Sequence, residues 1–478
     1  MKTNLLRFLG VITIALVLVI TACSSPSATT TTTTTLPPTT TTTRPPTTTT
    51  SPPTTTTTPP VTTTAALGAV EVLGTWGRVE VLGTWGSSEL DAFNEMMAPW
   101  EQQTGGKVNF TGTRDLTAIL TTRIQAGNPP DIAILPNPGL MMQYANAGNL
   151  KPLSGMLNMP TIQQQYPQAW IDLGTVSGEL YALFVRAANK SMVWYDPATF
   201  SANNWQTPST WDEMITLSNT IVSAGATPPA PWAMGVESGA ASGWAATDWI
   251  AQIFLEQNGG DVYDQWVAHA IPWTDSRIKD AWSMFGTIVN TPGYIPGGAT
   301  TVVATNFQDA SYWPFDTPAK AAMYYEGDFV EGFITTQFPN LEAETDFDYF
   351  PFPTINPQYE NAVTGGADLV VAFKDTPAVR SFVNYVSTPE AQDIWVKKGG
   401  FVSVNKEISV SDYPDPVAQK SVQQLLSAST FRFGAGDSMP GAMQTAWWAA
   451  VLQYLQNPGQ LDSILTSLES TAVTAYGQ

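Results

Sequence analysis

Three strand patterns and three helix patterns alternate between Val79 and Leu150, and this order leaves few topologies open. "VEVLG" at 79–83 is followed by "SSELDAFNEMMAPWEQQTGG", in which Leu90, Phe93, Met97 and Trp100 fall on one helical stripe. Ser87 or Ser88 is placed to cap this helix and Gly105 to end it. Pro99 lacks the N–H of an interior turn, so a kink or an early end is expected there. "KVNFTG" then alternates as a half-buried strand. "RDLTAILTTRIQAGN" returns to helical spacing through Leu116, Ile119, Leu120 and Ile124. "PPDIAIL" is a continuous apolar run suited to a strand covered on both faces, and "LMMQYANAGNL" closes the third unit.

Strands that alternate with helices in this way run parallel, with right-handed crossovers. Ligands of such open sheets bind beyond the carboxyl ends of the strands. Three loops therefore converge by topology: Thr84, Trp85, Gly86 and Ser87; Thr111 to Arg114 and Asp115; and Pro136, Asn137 and Pro138. They bring one indole, hydroxyls, a guanidinium, a carboxylate and an amide to one place. Hydrogen-bonding groups around a flat apolar face suit a polyol.

The stretch before this unit is of a different kind. "VEVLGTWG" occurs at 70–77 and again at 79–86 and does not return, whereas a stacked repeat fold needs at least three units. Only the second copy runs into a helix pattern, so 79–83 is the expected strand and the first copy a local duplication. Lys2 and Arg7 precede an apolar run at 8–20, too short to span a bilayer, which reads as a secretory signal over 1–22. It ends in "ITAC", which resembles the lipobox of bacterial lipoproteins, with Cys23 as the lipid acceptor. Residues 23–66 are nearly all Thr and Pro and lack the apolar side chains that offset ordering entropy. At roughly 3.1 Å per residue such a tether reaches about 130 Å at most.

The remaining chain, about 410 residues, exceeds what one core normally holds, so two domains are expected. Removal of the signal leaves 18 basic against 40 acidic residues, a balance that repels phosphate backbones and excludes nucleic acid as a partner. His269 is the single histidine and Cys23 the single cysteine. No metalloprotease helix motif, nucleophile elbow or phosphate-binding loop is present, and one cysteine makes neither a disulfide framework nor a cysteine zinc site. No cofactor and no metal is called for. The chain is rich instead in tryptophan, with 17 residues. Most of these are core-filling, as are Met141, Met142 and the aromatics of "AWSMFGTIV", but the number also suggests flat platforms for a ligand.

Six segments in order carry a family resemblance. The opening strand, "W-G" loop and helix come first, then "AGNPPDIAIL", "GELYALFVRAANKSMVWYD", "AAMYYEGDF", "GGADLVVAF" with "TPEAQDIWVKKGGFVSVNK", and "SMPGAMQTAWWAAVLQYL". Over 79–478 the chain resembles the extracellular solute-binding proteins of bacterial ABC importers, in the sugar-binding group that includes maltose-binding protein. The resemblance implies an α/β, two-lobed periplasmic-binding-protein-like fold, each lobe a sheet flanked by helices, joined by a multi-strand hinge. Residues 69–188 plus 356–402 would form lobe 1, and 189–355 plus 403–478 lobe 2.

Carried over onto this sequence, the loop of Trp85, Gly86, Ser87, Ser88 and Glu89 and the loop at Asn137 would contact sugar from lobe 1, beside Arg114 and Asp115. Asp328 and Phe329 stand where the family has an aromatic, and Gly365 and Gly366 resemble a close-approach turn facing the ligand. Trp447 or Trp448 would supply a stacking platform. The two are adjacent on a helix, about 100° apart, so only one faces the cleft. Trp244, Asp248 and Trp249 would place a carboxylate between two indoles, or form a core helix capped by Asp248.

The function these features imply is a monomeric binding lipoprotein on the outer face of a bacterial membrane. It would hand a sugar to the transmembrane subunits of an ABC permease by closing its lobes. The alternative is an anchored glycoside hydrolase with Asp248 and Asp328, or Glu326, flanking the scissile bond. A wall-attachment protein would fit the tether but not the strand–helix lobe.

Overall fold

The computed structural model describes residues 77–477 apart from residue 226. The expected signal at 1–22, Cys23, the tether and all but the last residue of the first repeat copy lie outside the described residues.

The alternation is present in the order read. β1 (Arg78–Gly83), α1 (Ser87–Thr104), β2 (Lys107–Gly112), α2 (Leu116–Gln125), β3 (Ile132–Leu135) and α3 (Pro138–Asn146) follow one another. β1 pairs in parallel with both β2 and β3. All four residues of β3 are buried, as a strand covered on both faces requires. α1 buries Phe93, Met96, Met97 and Trp100 and closes on Gly105 at φ 68°.

The capping expected of α1 fails, and the helix does not end early. Neither serine caps it: a capping residue needs extended backbone, which Gly86 adopts, whereas Ser87 lies at φ 47°. The helix also runs through Pro99 to Thr104. The carbonyl that loses its partner belongs to Glu95, which is exposed and so open to solvent.

β4 (Ala182–Asn189) leads directly into β5 (Met192–Tyr195). Then come β6 (Trp232–Ala233), α4 (Trp244–Val267), α5 (Ser276–Asn290), β7 (Met323–Tyr325), α6 (Val330–Gln337) and β8 (Asp348–Pro351). β9 (Ala362–Ala372) returns, followed by β10 (Thr430–Phe433), α7 (Ala435–Ser438) and α8 (Gly441–Gln456). The largest sheet has the order β10-β9-β3-β1-β2, with β4 also paired to β9, and a second has the order β8-β5-β7-β6. A two-residue hairpin pair, Thr175–Val176 with Glu179–Leu180, stands apart from these two main sheets.

Each main sheet has its own hydrophobic core. β4 packs into the first core and β5 into the second, while β9 starts at Ala362 in the second and reaches Ala367 and Leu369 in the first. The fold is thus α/β and two-lobed, and hydrogen-bonded strands pass from lobe to lobe.

A buried polar cluster ties these crossings together. Gln252 of α4 accepts from Ser191 Oγ at 2.6 Å, Thr364 N at 2.9 Å and Thr364 Oγ1 at 2.7 Å, and donates to Ala362 O at 3.0 Å. Every buried polar atom of that glutamine is therefore satisfied. Pairing of β9 with β4 slips by one residue, from Asp368 opposite Arg186 to Leu369 opposite Phe184, which leaves Val185 unmatched. Such a bulge bends a strand and re-aims the side chains beside it.

Asp248 does not cap α4; it lies in the second turn, and Gly243 holds the cap position. Met141 and the α5 residues Trp282, Phe285 and Ile288 are fully buried, whereas Met142 is 40% exposed because α3 turns only one face to the sheet. His269 is packed, with Nε2 3.2 Å from Glu469.

Candidate functional site

The three loops beyond β1, β2 and β3 meet at a cavity of about 500 Å³ between the lobes. Trp85 and Glu89 come from the first, Arg114 and Asp115 from the second, Asn137 from the third. Gly366 and Asp368 of β9, with Arg186 and Lys190 from the end of β4, form the floor against the crossing strands. Lobe 2 supplies the aromatic wall: Trp244 and Phe307 in edge-to-face contact at 4.9 Å, then Phe329, Phe333 and Trp448. Apolar faces opposite polar loops, in a cleft of this size, make a small-molecule site.

Two buried cations organise the floor. Arg186 is 2% exposed, with Nη1 2.6 Å from Glu89 and 3.3 Å from Asp368, and Nη2 donating to Gly400 O at 2.8 Å. Its guanidinium lies 5.4 Å from the Trp395 ring and 6.0 Å from that of Phe329. Burial opposes its charge, but Glu89, Asp368 and Asp328 outweigh burial and raise its pKa. Lys190 sits 2.8 Å from Asp248 and 3.5 Å from Asp437, with its ammonium 5.1 Å from the Trp244 ring. There too burial is overcome, by Asp248, Asp437 and Glu326, so the lysine stays charged. Removing one member of such a pair leaves an uncompensated buried charge, which costs about 3–5 kcal/mol.

The lobes touch across the cavity. Asn137 Nδ2 donates to Gln444 Oε1 at 2.9 Å, Ala240 N donates to Asp115 Oδ1 at 3.3 Å, and the Arg114 guanidinium lies 5.0 Å from the Phe307 ring. These three contacts bridge the cleft.

Of the residues read from the sequence, Trp85, Glu89, Arg114, Asp115, Asn137, Trp244, Asp248, Phe329, Gly366 and Trp448 line the cavity. Trp85 does so only at its edge. Its ring stacks on Phe110 at 5.9 Å, meets Trp395 edge-on at 4.8 Å, and donates from Nε1 to Asp368 at 3.1 Å. Gly86, Ser87 and Ser88 stand outside the lining, in keeping with the backbone turn at Ser87. Trp249 is 2% exposed among Trp232, Phe285, Tyr325 and Phe352, on the core side of α4. Trp447 is fully buried against Trp266 and Trp273, while Trp448, one residue on, faces the cleft. Gly365 is covered by Phe431 and the Ala188 carbonyl rather than open to the cavity.

Asp328 is 2% exposed and turned to the backbone, accepting from Asn189 N at 2.9 Å. Burial pushes its carboxyl up to about 6, against the pull of Arg186. Glu326 is fully buried, and burial with Asp248 nearby raises its pKa well above the usual carboxylate range. Neither lines the cavity, so the carboxylate pair of the hydrolase alternative does not flank it.

Sequence reading missed Arg186, Lys190, Asp368, Asp437, Gln444 and Phe307. A signal existed for three of them. Arg186 and Lys190 interrupt or close the apolar run "ALFVRAANK", and Asp368 sits within "GGADLVVAF"; a charge inside or beside a buried apolar strand must have partners. Nothing in the neighbourhood of Phe307 marks it.

Residues 86–393 match the family model described as bacterial extracellular solute-binding protein. The chain is similar to the osmoprotective compounds-binding protein GgtB of Synechocystis sp., with 34% identity over 76% of this chain and 85% of that protein. It is likewise similar to the alpha-glucosides-binding periplasmic protein AglE of Rhizobium meliloti, with 32% identity over 77% and 81%. Its fold matches that of the bacterial solute receptor AcbH, with a TM-score of 0.73 at 20% identity over 84% of this chain and 99% of that one. The chain, with an inter-lobe cleft lined in this way, belongs to the family of bacterial extracellular solute-binding proteins.

Proposed function

We propose that the protein is an extracytoplasmic lipoprotein, lipidated at Cys23, that binds a sugar, as an oligosaccharide or a glycoside, and presents it to an ABC import permease by closing its lobes. Residues 69–188 plus 356–402 and 189–355 plus 403–478 are the two lobes of this reading, although Tyr413, Ala418, Val422 and β10 return to the core and sheet of the first lobe, and one chain makes one site. The carrying observation is the lining of the cleft. Trp244, Phe307, Phe329 and Trp448 offer apolar faces from lobe 2, while Glu89, Asp115, Asn137 and Asp368 offer hydrogen-bonding groups from lobe 1. A sugar ring has the matching pair of surfaces, C–H faces and a rim of hydroxyls. The relative named for alpha-glucosides supports the same class.

Ligand that touches both lobes favours the closed state by its differential affinity for that state. A thermal-shift screen of the full chain against mono-, di- and oligosaccharides tests the reading. A sugar at about 100 times its Kd stabilises by about 2.7 kcal/mol, a readily measured shift. If no sugar shifts the transition, the substrate class is wrong; if reducing ends appear during incubation with an oligosaccharide, the protein is a hydrolase.

A further inference from the structure

The inter-lobe contact at Asn137 is the end of a longer chain of polar groups. Asn137 Nδ2 donates to Gln444 Oε1 at 2.9 Å, Gln444 Nε2 donates to Asp437 Oδ1 at 3.0 Å, and Asp437 Oδ2 lies 3.5 Å from Lys190 Nζ. Asn137 belongs to the loop after β3, Gln444 to α8, Asp437 to α7, and Lys190 to the crossing between β4 and β5. Asn137 and Gln444 are 4% and 3% exposed.

The direction of this chain is fixed at one end. A carboxylate only accepts, so Gln444 must turn its NH₂ to Asp437 and its carbonyl to lobe 1. Asn137 must then turn its own NH₂ to that carbonyl. What remains is Asn137 Oδ1, buried in the cavity wall and without a hydrogen-bond partner in the protein. A buried acceptor left unmatched costs about 1–3 kcal/mol, so it points to a donor that arrives with the ligand.

We infer that Asp437 and Gln444 are positioning residues, which orient the Asn137 carboxamide so that Oδ1 accepts a hydrogen bond from a ligand hydroxyl when the lobes are closed. This rests on the sugar reading and adds to it a requirement: an O–H donor at that point of the ligand. In the open state Gln444 and Asn137 separate, and the carboxamide is free to present either end. Ligand hydroxyl and lobe closure therefore strengthen one another by the same factor.

Three single variants of the full chain and one double variant test this, with the sugar that best stabilises the wild type in the thermal screen and Kd measured by calorimetry. Gln444→Met keeps the length and removes both bonds; affinity should fall about tenfold. Asn137→Ala should fall at least as far, and adding Gln444→Met to it should change little, since Gln444 acts through Asn137. Gln444→Glu places an acceptor against Asp437, in a surround that already holds Lys190, Asp248 and Glu326, the last with its pKa raised by burial well above the usual carboxylate range. It should bind poorly at pH 8 and recover as pH falls towards 6, when one proton enters the pair formed by the introduced carboxyl and Asp437, whose own carboxyl burial already pushes up to about 6. Full additivity of the two losses, or a pH-independent defect in Gln444→Glu, overturns the inference.

If the wild type binds no sugar, the sugar reading fails, but the latch is still measurable. Spin labels at Gln125 and Gln453, exposed on α2 and α8, attach uniquely in a Cys23→Ser background. Gln444→Met should lengthen and broaden the inter-label distance relative to wild type. An unchanged distribution overturns the inference.

Discussion

Alanine at Trp448 and alanine at Trp447 should have opposite consequences, although the two indoles are neighbours on α8. Trp447 is fully buried, with Trp266 at 5.1 Å and Trp273 at 5.3 Å edge-to-face. Truncating such a residue leaves a cavity and costs about 3–5 kcal/mol. With an unfolding entropy of about 2.1 cal/mol/K per residue over roughly 400 residues, that lowers Tm by about 4–6 °C. Trp448 is half-buried in the cleft wall, so its loss should leave Tm within about 1 °C of wild type. Removal of an aromatic platform from beneath a stacked nucleic-acid base costs about 1–3 kcal/mol, and the same range here means a Kd about 5- to 150-fold weaker. Scanning calorimetry on the apo proteins and titration calorimetry with the best sugar of the screen give both numbers for each variant. The reasoning is refuted if Trp447→Ala melts like wild type, or if Trp448→Ala binds every sugar with unchanged affinity.

Glu256, 1% exposed on α4, has its pKa pushed up to about 8, first by burial, with Ile355 N–H opposing and Glu360 adding. A raised folded pKa means that its stabilising protonation is complete below the unfolded value of about 4.5 and lost as pH rises through about 8. Glu256→Gln should therefore melt a few degrees above wild type at pH 9 and level with it at pH 5; a constant difference across that range would falsify the assignment. Cys23→Ser should leave the protein soluble or unprocessed, and partitioning into detergent at the wild-type level would end the lipoprotein reading. Deleting residues 69–77 should leave melting temperature and sugar affinity almost unchanged, because β1 starts at Arg78; a drop of several degrees would place the first copy in the structure.

The lobe 1 architecture was legible because apolar periodicity records burial directly: "IAIL" is a strand covered on both faces, and it is found buried at every position. The convergence of the loops at Trp85, Arg114 and Asn137 followed from topology, without any knowledge of side-chain direction. Direction is what a list of residues lacks. Trp244 and Trp249 lie on one helix, yet Trp244 lines the cleft and Trp249 faces the core. Capping misled at Ser87 because a cap depends on the backbone angle of the preceding turn, which Gly86 and the left-handed Ser87 decide between them. The floor of the site was hidden for another reason. Arg186 and Asp368 come from strands far apart in the chain, and their pairing is a property of the antiparallel contact between β4 and β9.

The slip between β4 and β9 lies at Asp368, which is both a cavity residue and part of the strand shared by the two lobes. If the lobes turn about these crossings, the floor of the site is the fulcrum. A force applied at a fulcrum exerts little torque, whatever its strength. Ligand groups held by Asp368, Arg186 and Lys190 should hold the molecule in place with almost equal energy whether the lobes are apart or together. Leverage belongs to the rim, where Arg114 meets Phe307. A ligand that fills only the floor should then occupy the protein without closing it, and so block the site without being passed on.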